Sequence, residues 1–97
     1  MPDRLDLATF QPCVGQKFDV DVSGKTLELT LTEATPGRWQ PEGETTFAFE
    51  LMFRGPQQPI LPQAIYRMTN ESLGPLDLFI VPLKNEPEGT AYQAVFS

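Results

Sequence analysis

Leucine and polar residues alternate without a break through Thr26-Leu27-Glu28-Leu29-Thr30-Leu31-Thr32. A β-strand points successive side chains to opposite faces, so this run sets its leucines on a core and its threonines and glutamate in water. The pattern predicts a strand from Lys25 to Glu33 with Leu27, Leu29 and Leu31 inward. The segment before it, Gln16 to Val22, alternates in the same way, with Phe18, Val20 and Val22 on one face and Asp19 and Asp21 on the other. Ser23-Gly24 lies between the two. A two-residue loop would pair Val20 with Leu27 and Phe18 with Leu29, whereas a four-residue loop would pair Val22 with Leu27 and Val20 with Leu29. A regular three-residue loop would set leucines against aspartates and is allowed only with a bulge.

Further along, Thr35 to Thr45 is rich in Pro, Gly and Glu and reads as a loop. Thr46 to Arg54 predicts a third strand, with Phe47, Phe49, Leu51 and Phe53 inward. Gly55 to Pro62 carries three prolines and must be a connection, since proline lacks the donor that a ladder needs. Gln63 to Thr69 reads as a fourth strand, and Asn70 to Pro75 as a turn. The fifth strand, Leu76 to Leu83, breaks the alternation: Leu76, Leu78 and Ile80 point one way, and Phe79, Val81 and Leu83 the other. Apolar residues on both faces predict cover on both, from an N-terminal helix, a curled-over sheet or another subunit. Asn85 to Gly89 is a polar turn, and Thr90 to Phe96 is the last strand.

One short helix is expected, over Leu5 to Pro12. Leu7 and Phe10 are spaced i, i+3, and Pro12 is placed to end it. It is too short to be stable alone, so it must lie over an end or a face of the sheet. The fold class predicted is therefore all-β: a small antiparallel meander of about six strands, closing into a barrel or a sandwich, with a short N-terminal helix.

Length and composition narrow the rest. The 97 residues have room for one domain, and 40% are hydrophobic, which is ordinary for a chain with a core. The formal net charge of −6 opposes non-specific binding to nucleic acid or to an anionic membrane surface. Met-Pro-Asp-Arg-Leu-Asp lacks a basic stretch followed by an apolar one, so no signal peptide is expected. No apolar run approaches the roughly 18 residues of a transmembrane helix. The single cysteine, Cys13, forms no intrachain disulfide, and a reduced, cytoplasmic setting is the expectation.

The chemistry is shaped by what is missing. With no histidine, the Ser-His-Asp triad, the Cys-His dyad and imidazole-ligated zinc are ruled out. There is no C-x-x-C pair, no P-loop and no dinucleotide-binding glycine motif. A carboxylate-only enzyme would need two acids in a cleft with separated pKa values, and no spacing nominates a pair. No catalytic residue, cofactor or metal is expected.

Several residues attract weaker readings. Asp19, Asp21 and Glu28 could form a cation site or a patch for a basic partner; a solvated sheet face, softened by Lys17, explains them as well. Cys13 reads as a small buried apolar residue rather than a nucleophile. Trp39 lies beside Arg38 in the long loop, and both types are enriched where proteins bind one another. Pro56-x-x-Pro59 and Pro59-x-x-Pro62 fit an SH3-ligand pattern, but a proline-stiffened connection is the simpler account. Asn70-Glu71-Ser72 fits the glycosylation pattern and is read as accidental.

Six segments together look familiar: Phe10-x-x-x-Val14-Gly15-x-x-Phe18, Leu27-x-Leu29-x-Leu31, Phe53-Arg54-Gly55, Leu61-Pro62-Gln63-x-x-Tyr66, Leu76-x-Leu78-Phe79-x-Val81-Pro82 and Tyr92-x-Ala94-Val95-Phe96. Over nearly the whole chain they resemble an uncharacterised bacterial domain family of about this length, often found near phage-tail-collar-like proteins. The resemblance implies a bacterial origin and a role in assembling a tail-like structure, and brings no catalytic residues.

Two functions are carried forward. The first is a non-catalytic interaction or assembly module, its protein partner contacted by Arg38, Trp39, Phe79 and Val81, with a homo-oligomer among the ways to cover that face. The second is a barrel that binds a small ligand, which would require Phe47, Phe49, Leu51 and Phe53 to surround a void.

Overall fold

The computed structural model of the chain describes residues 7–36 and 49–96. Alternation carries most of the architecture. The chain runs through a helix α1 (Leu7–Phe10), a 3₁₀ turn (Gln11–Cys13) and six strands: β1 (Lys17–Val22), β2 (Lys25–Pro36), β3 (Phe49–Gly55), β4 (Ala64–Asn70), β5 (Gly74–Glu86) and β6 (Gly89–Phe96). They close into an antiparallel barrel in the order β1-β2-β3-β6-β5-β4. The meander thus occurs twice, as β1-β2-β3 and β4-β5-β6, and the two halves join along β3–β6 and β1–β4. Closure decides between the barrel and the sandwich that the sequence left open.

Of the registers open to the first hairpin, the two-residue loop is adopted: Val20 faces Leu27 and Phe18 faces Leu29. Ser23 and Gly24 both take positive φ, at 49° and 82°, which matches the twist of tight hairpin turns. Leu29 and Leu31 are fully buried and Leu27 partly so. β2 then runs three residues beyond the predicted Glu33. A bulge at Thr32, whose hydroxyl donates to the Met52 carbonyl at 3.1 Å, switches the inward set from Leu31 to Ala34. β5 is also longer than predicted, at both ends. Pro75 lies inside its ladder, opposite Thr69, so the turn is shorter than the predicted Asn70–Pro75. Pro82 sits beside a second bulge, between Pro82 and Lys84. Strand starts and bulges are the places where a missing N–H is tolerated.

The helix lies over one end of the barrel, as its length requires. Phe10 has no exposed surface, and its ring centroid sits 5.8 Å from those of both Phe49 and Phe96. Phe49 and Phe96 are themselves stacked at 4.4 Å. Pro12 does not end the helical path as predicted. It occupies an early position of the 3₁₀ turn, where its missing donor has no role, and carries the chain on to buried Cys13. Among the described residues no helix is long and apolar enough to cross a membrane.

Two polar devices complete the closure. The β1–β4 ladder has only two register pairs, Asp19 with Thr69 and Val20 with Met68. Beside it Asn70, 1% exposed, donates to Gln16 Oε1 at 3.1 Å and to the Lys17 carbonyl at 3.0 Å. Its Oδ1 accepts from the backbone N–H groups of Ser72 and Leu73 at 2.8 and 3.0 Å. Asn70 therefore ties β1 to the β4–β5 turn, and its buried amide is no glycosylation acceptor. The second device holds the β3–β4 connection. The Gln57 carbonyl accepts from Asn85 and Thr90, the Leu61 N–H donates to the buried Tyr92 hydroxyl at 2.9 Å, and Tyr66 donates to the Pro62 carbonyl at 2.6 Å. A segment so pinned is a connection rather than a free proline-rich ligand.

Candidate interaction face

Each strand of a closed barrel has one wall inside and one outside. On β5, Leu78 and Ile80 are buried inside, and Leu76 packs partly against the same core. Phe79 points outward and is 49% exposed; Val81, two residues on, is half-buried on the same side. The predicted cover over this second face is not supplied by the chain's described residues. Curling the sheet encloses only its inner wall, and α1 packs on β2 and the barrel end, away from Phe79.

The register shows what surrounds Phe79. Ile65 on β4 stands directly opposite it and, at 69%, is the most exposed large hydrophobic among the described residues. Val81 faces Gln93 on β6, and Val95, two residues further along that wall, is also exposed. Leu83, left out by the β5 bulge, extends the row toward Ile60. Opposite residues on one sheet face lie about 5 Å apart, so Ile65 and Phe79 form an apolar pair. Val81, Leu83 and Val95 lie on the same outer wall, where Gln93 faces Val81 and Glu50 faces Val95. At one border of the row Arg67 Nε meets Asp77 Oδ1 at 2.7 Å. Both are well exposed, and such a pair adds little to stability.

Of the four predicted contact residues, Phe79 and Val81 share this face, while Arg38 and Trp39 lie outside the described residues. Sequence reasoning missed Ile65 and Val95. Their signal was parity: Ile65 alternates against buried Met68 and Asn70, and Val95 against buried Ala94. Only the register brings them to Phe79.

The second reading turns on what the inward phenylalanines meet. Phe53 meets Phe18 with centroids 5.2 Å apart, Phe49 meets Phe10 and Phe96, and Leu51 is fully buried among the same core residues. The described phenylalanines that were to surround a void pack on side chains instead; Phe47 lies outside the described residues.

The acidic cluster sits on the outside of the first hairpin. Asp19 faces Glu28, Asp21 faces Thr26, and Lys17 Nζ approaches Glu28 at 3.4 Å. Among the described residues no three potential ligands are grouped to hold a metal ion. Cys13 is 2% exposed, with its sulfur 3.8 Å from the Thr9 carbonyl and 4.0 Å from Asn70 Oδ1. Burial pushes its thiol above the usual range, which suppresses the nucleophilic thiolate. The native protein should therefore react with a thiol reagent at least about a hundredfold more slowly than the chain in denaturant. Rapid stoichiometric labelling of the folded protein would contradict this placement.

Residues 5–96 match the family model described as a domain of unknown function (DUF6916), and the chain belongs to that family. No curated protein and no solved structure matches the chain.

Proposed function

We propose that this DUF6916 chain is a non-catalytic interaction or assembly module that works through the outer wall of β4, β5 and β6. The observation that carries the reading is the exposed ring of Phe79, set opposite exposed Ile65 on a strand whose inner wall is already buried. An aromatic side chain set among aliphatic ones is the type of surface that anchors a protein contact once water is excluded. The lack of histidine and the buried, pKa-raised cysteine support a role without chemistry. The resemblance noted in the sequence supports a bacterial origin and a role in assembling a phage-tail-like structure, and the single cysteine supports a reduced, cytoplasmic setting.

The test is light scattering with pull-down of candidate tail-assembly proteins by the full chain. A complex, with another protein or with itself, should form with the wild type and with Val14→Asp, which changes an exposed apolar residue outside β4, β5 and β6. Phe79→Asp should weaken it at least about tenfold. A wild-type chain that stays monomeric and captures none of these proteins would overturn the proposal.

A further inference from the structure

The apolar row lies on the electrically balanced side of an acidic molecule. The chain carries a net charge of −6. Much of its described acid lies elsewhere: the β1–β2 hairpin alone presents Asp19, Asp21, Glu28 and Glu33 against Lys17 and Lys25. Among the described residues beside the row the charged side chains are two cations and two anions: Arg67 and Asp77, already in contact, Glu50 opposite Val95, and Lys84 next to Leu83. A partner chosen by charge attraction would be basic and would find its complement on the hairpin. A partner for the balanced face must be apolar and carry both signs at its border. The face itself has that character.

We infer that the occupant of this face is a second copy of the chain, in a twofold dimer. The inference rests on the interaction reading above and names its partner. In a twofold interface the same patch meets itself, so self-complementarity is the requirement. Two outer sheet walls packed face to face, about 10 Å apart, interleave Phe79, Ile65 and Val95 with their symmetry mates. Rotation sets Arg67 of one copy toward Asp77 of the other, exchanging the internal pair of each copy for a reciprocal one without like-charge opposition. A standard interface needs roughly 800 Å² per partner. The continuation of the row through Val81 to Leu83 and Ile60 supplies apolar length beyond the ring itself.

Sedimentation velocity on the full chain over the micromolar range tests this. The wild type should show a concentration-dependent monomer–dimer equilibrium, unchanged in Val14→Asp and weakened about 30-fold or more in Phe79→Asp. Ile65→Asp, at a more exposed position, gives the same reading should Phe79→Asp fail to fold by circular dichroism. Arg67→Asp makes the border doubly acidic and Asp77→Arg makes it doubly basic. Each alone should lose self-association, and an equimolar mixture of the two should regain a dimer. A monomer at every concentration, a dimer indifferent to Phe79→Asp and Ile65→Asp, or a mixture no better than its components would overturn the inference. Should the wild type stay monomeric yet capture a tail-assembly protein through Phe79, the self-partner fails and the interaction module stands.

Discussion

Gly89→Ala should cripple the fold, lowering stability by about 2–6 kcal/mol against the 5–15 kcal/mol typical of a whole domain. Gly89 opens β6 with φ at +132°, a backbone conformation that side chains with a Cβ rarely adopt. A methyl group there would also overlap the Gly55 carbonyl oxygen, part of the backbone where β3 ends beside β6. Backbone cannot move aside without breaking the Gly55–Thr90 register that joins the two halves of the barrel. Gly24→Ala is the matched comparison. Its φ of +82° is also positive, but nothing lies within 4 Å of the added carbon. That variant should lose only about 1–2 kcal/mol, from the conformation alone. Urea midpoints of the two variants separate the terms, and equal losses would show that the close approach to Gly55 does not matter.

The second large effect is expected at Asn70. Asn70→Ala leaves the Ser72 and Leu73 N–H groups and the Lys17 carbonyl without their partner, and should cost about 3–5 kcal/mol. Asn70→Asp is more informative because it keeps the oxygen that accepts from Ser72 and Leu73 and loses the amide that donates to Gln16 and Lys17. Its carboxylate would face Gln16 Oε1 and the Lys17 carbonyl in a buried site, oxygen against oxygen. Burial and these acceptors favour the protonated acid, against the Ser72 and Leu73 N–H groups, which favour the carboxylate; with the first two dominant, its folded pKa should lie above its unfolded one. The sign follows: more protons are bound when folded, so the variant loses stability relative to the wild type as pH rises through the carboxyl range. Thermal melts of both proteins at about pH 5 and pH 8 should show a wider gap at the higher value. A gap independent of pH would mean that the side chain escapes to solvent.

How much of this was legible follows from where the information sits. The inward faces of β1 and β2 were readable because Phe18, Val20, Leu29 and Leu31 alternate locally with polar residues. The first hairpin's register was readable only to a pair of alternatives, since both keep apolar residues together. Closure was hidden. It depends on two register pairs, on Asn70 and on the Gly55–Gly89 approach, each a meeting of distant residues with no local signature. Bulges at Thr32 and Leu83 interrupted the alternation, so both long strands were drawn short at their ends, and Gly74-Pro75 hid the start of β5. Asn70 carried a misleading signal, because a sequon and a buried bridging amide look alike in sequence. At the candidate face, Phe79 and Val81 were found by broken alternation, whereas Ile65 and Val95 lie in the short apolar runs Ala64-Ile65-Tyr66 and Ala94-Val95-Phe96, whose outward member only the register identifies.

The two-pair join between β1 and β4 has a kinetic meaning. Asp19 and Thr69 are 50 positions apart along the chain, whereas each three-stranded half is built from successive neighbours. Local hairpins gain their enthalpy early, and a distant pairing must first overcome the entropy of bringing remote segments together. The β3–β6 join is also distant along the chain but has seven register pairs, so the two-pair β1–β4 join should be the last to form and the first to open, which hydrogen exchange at Val20 and Met68 would read.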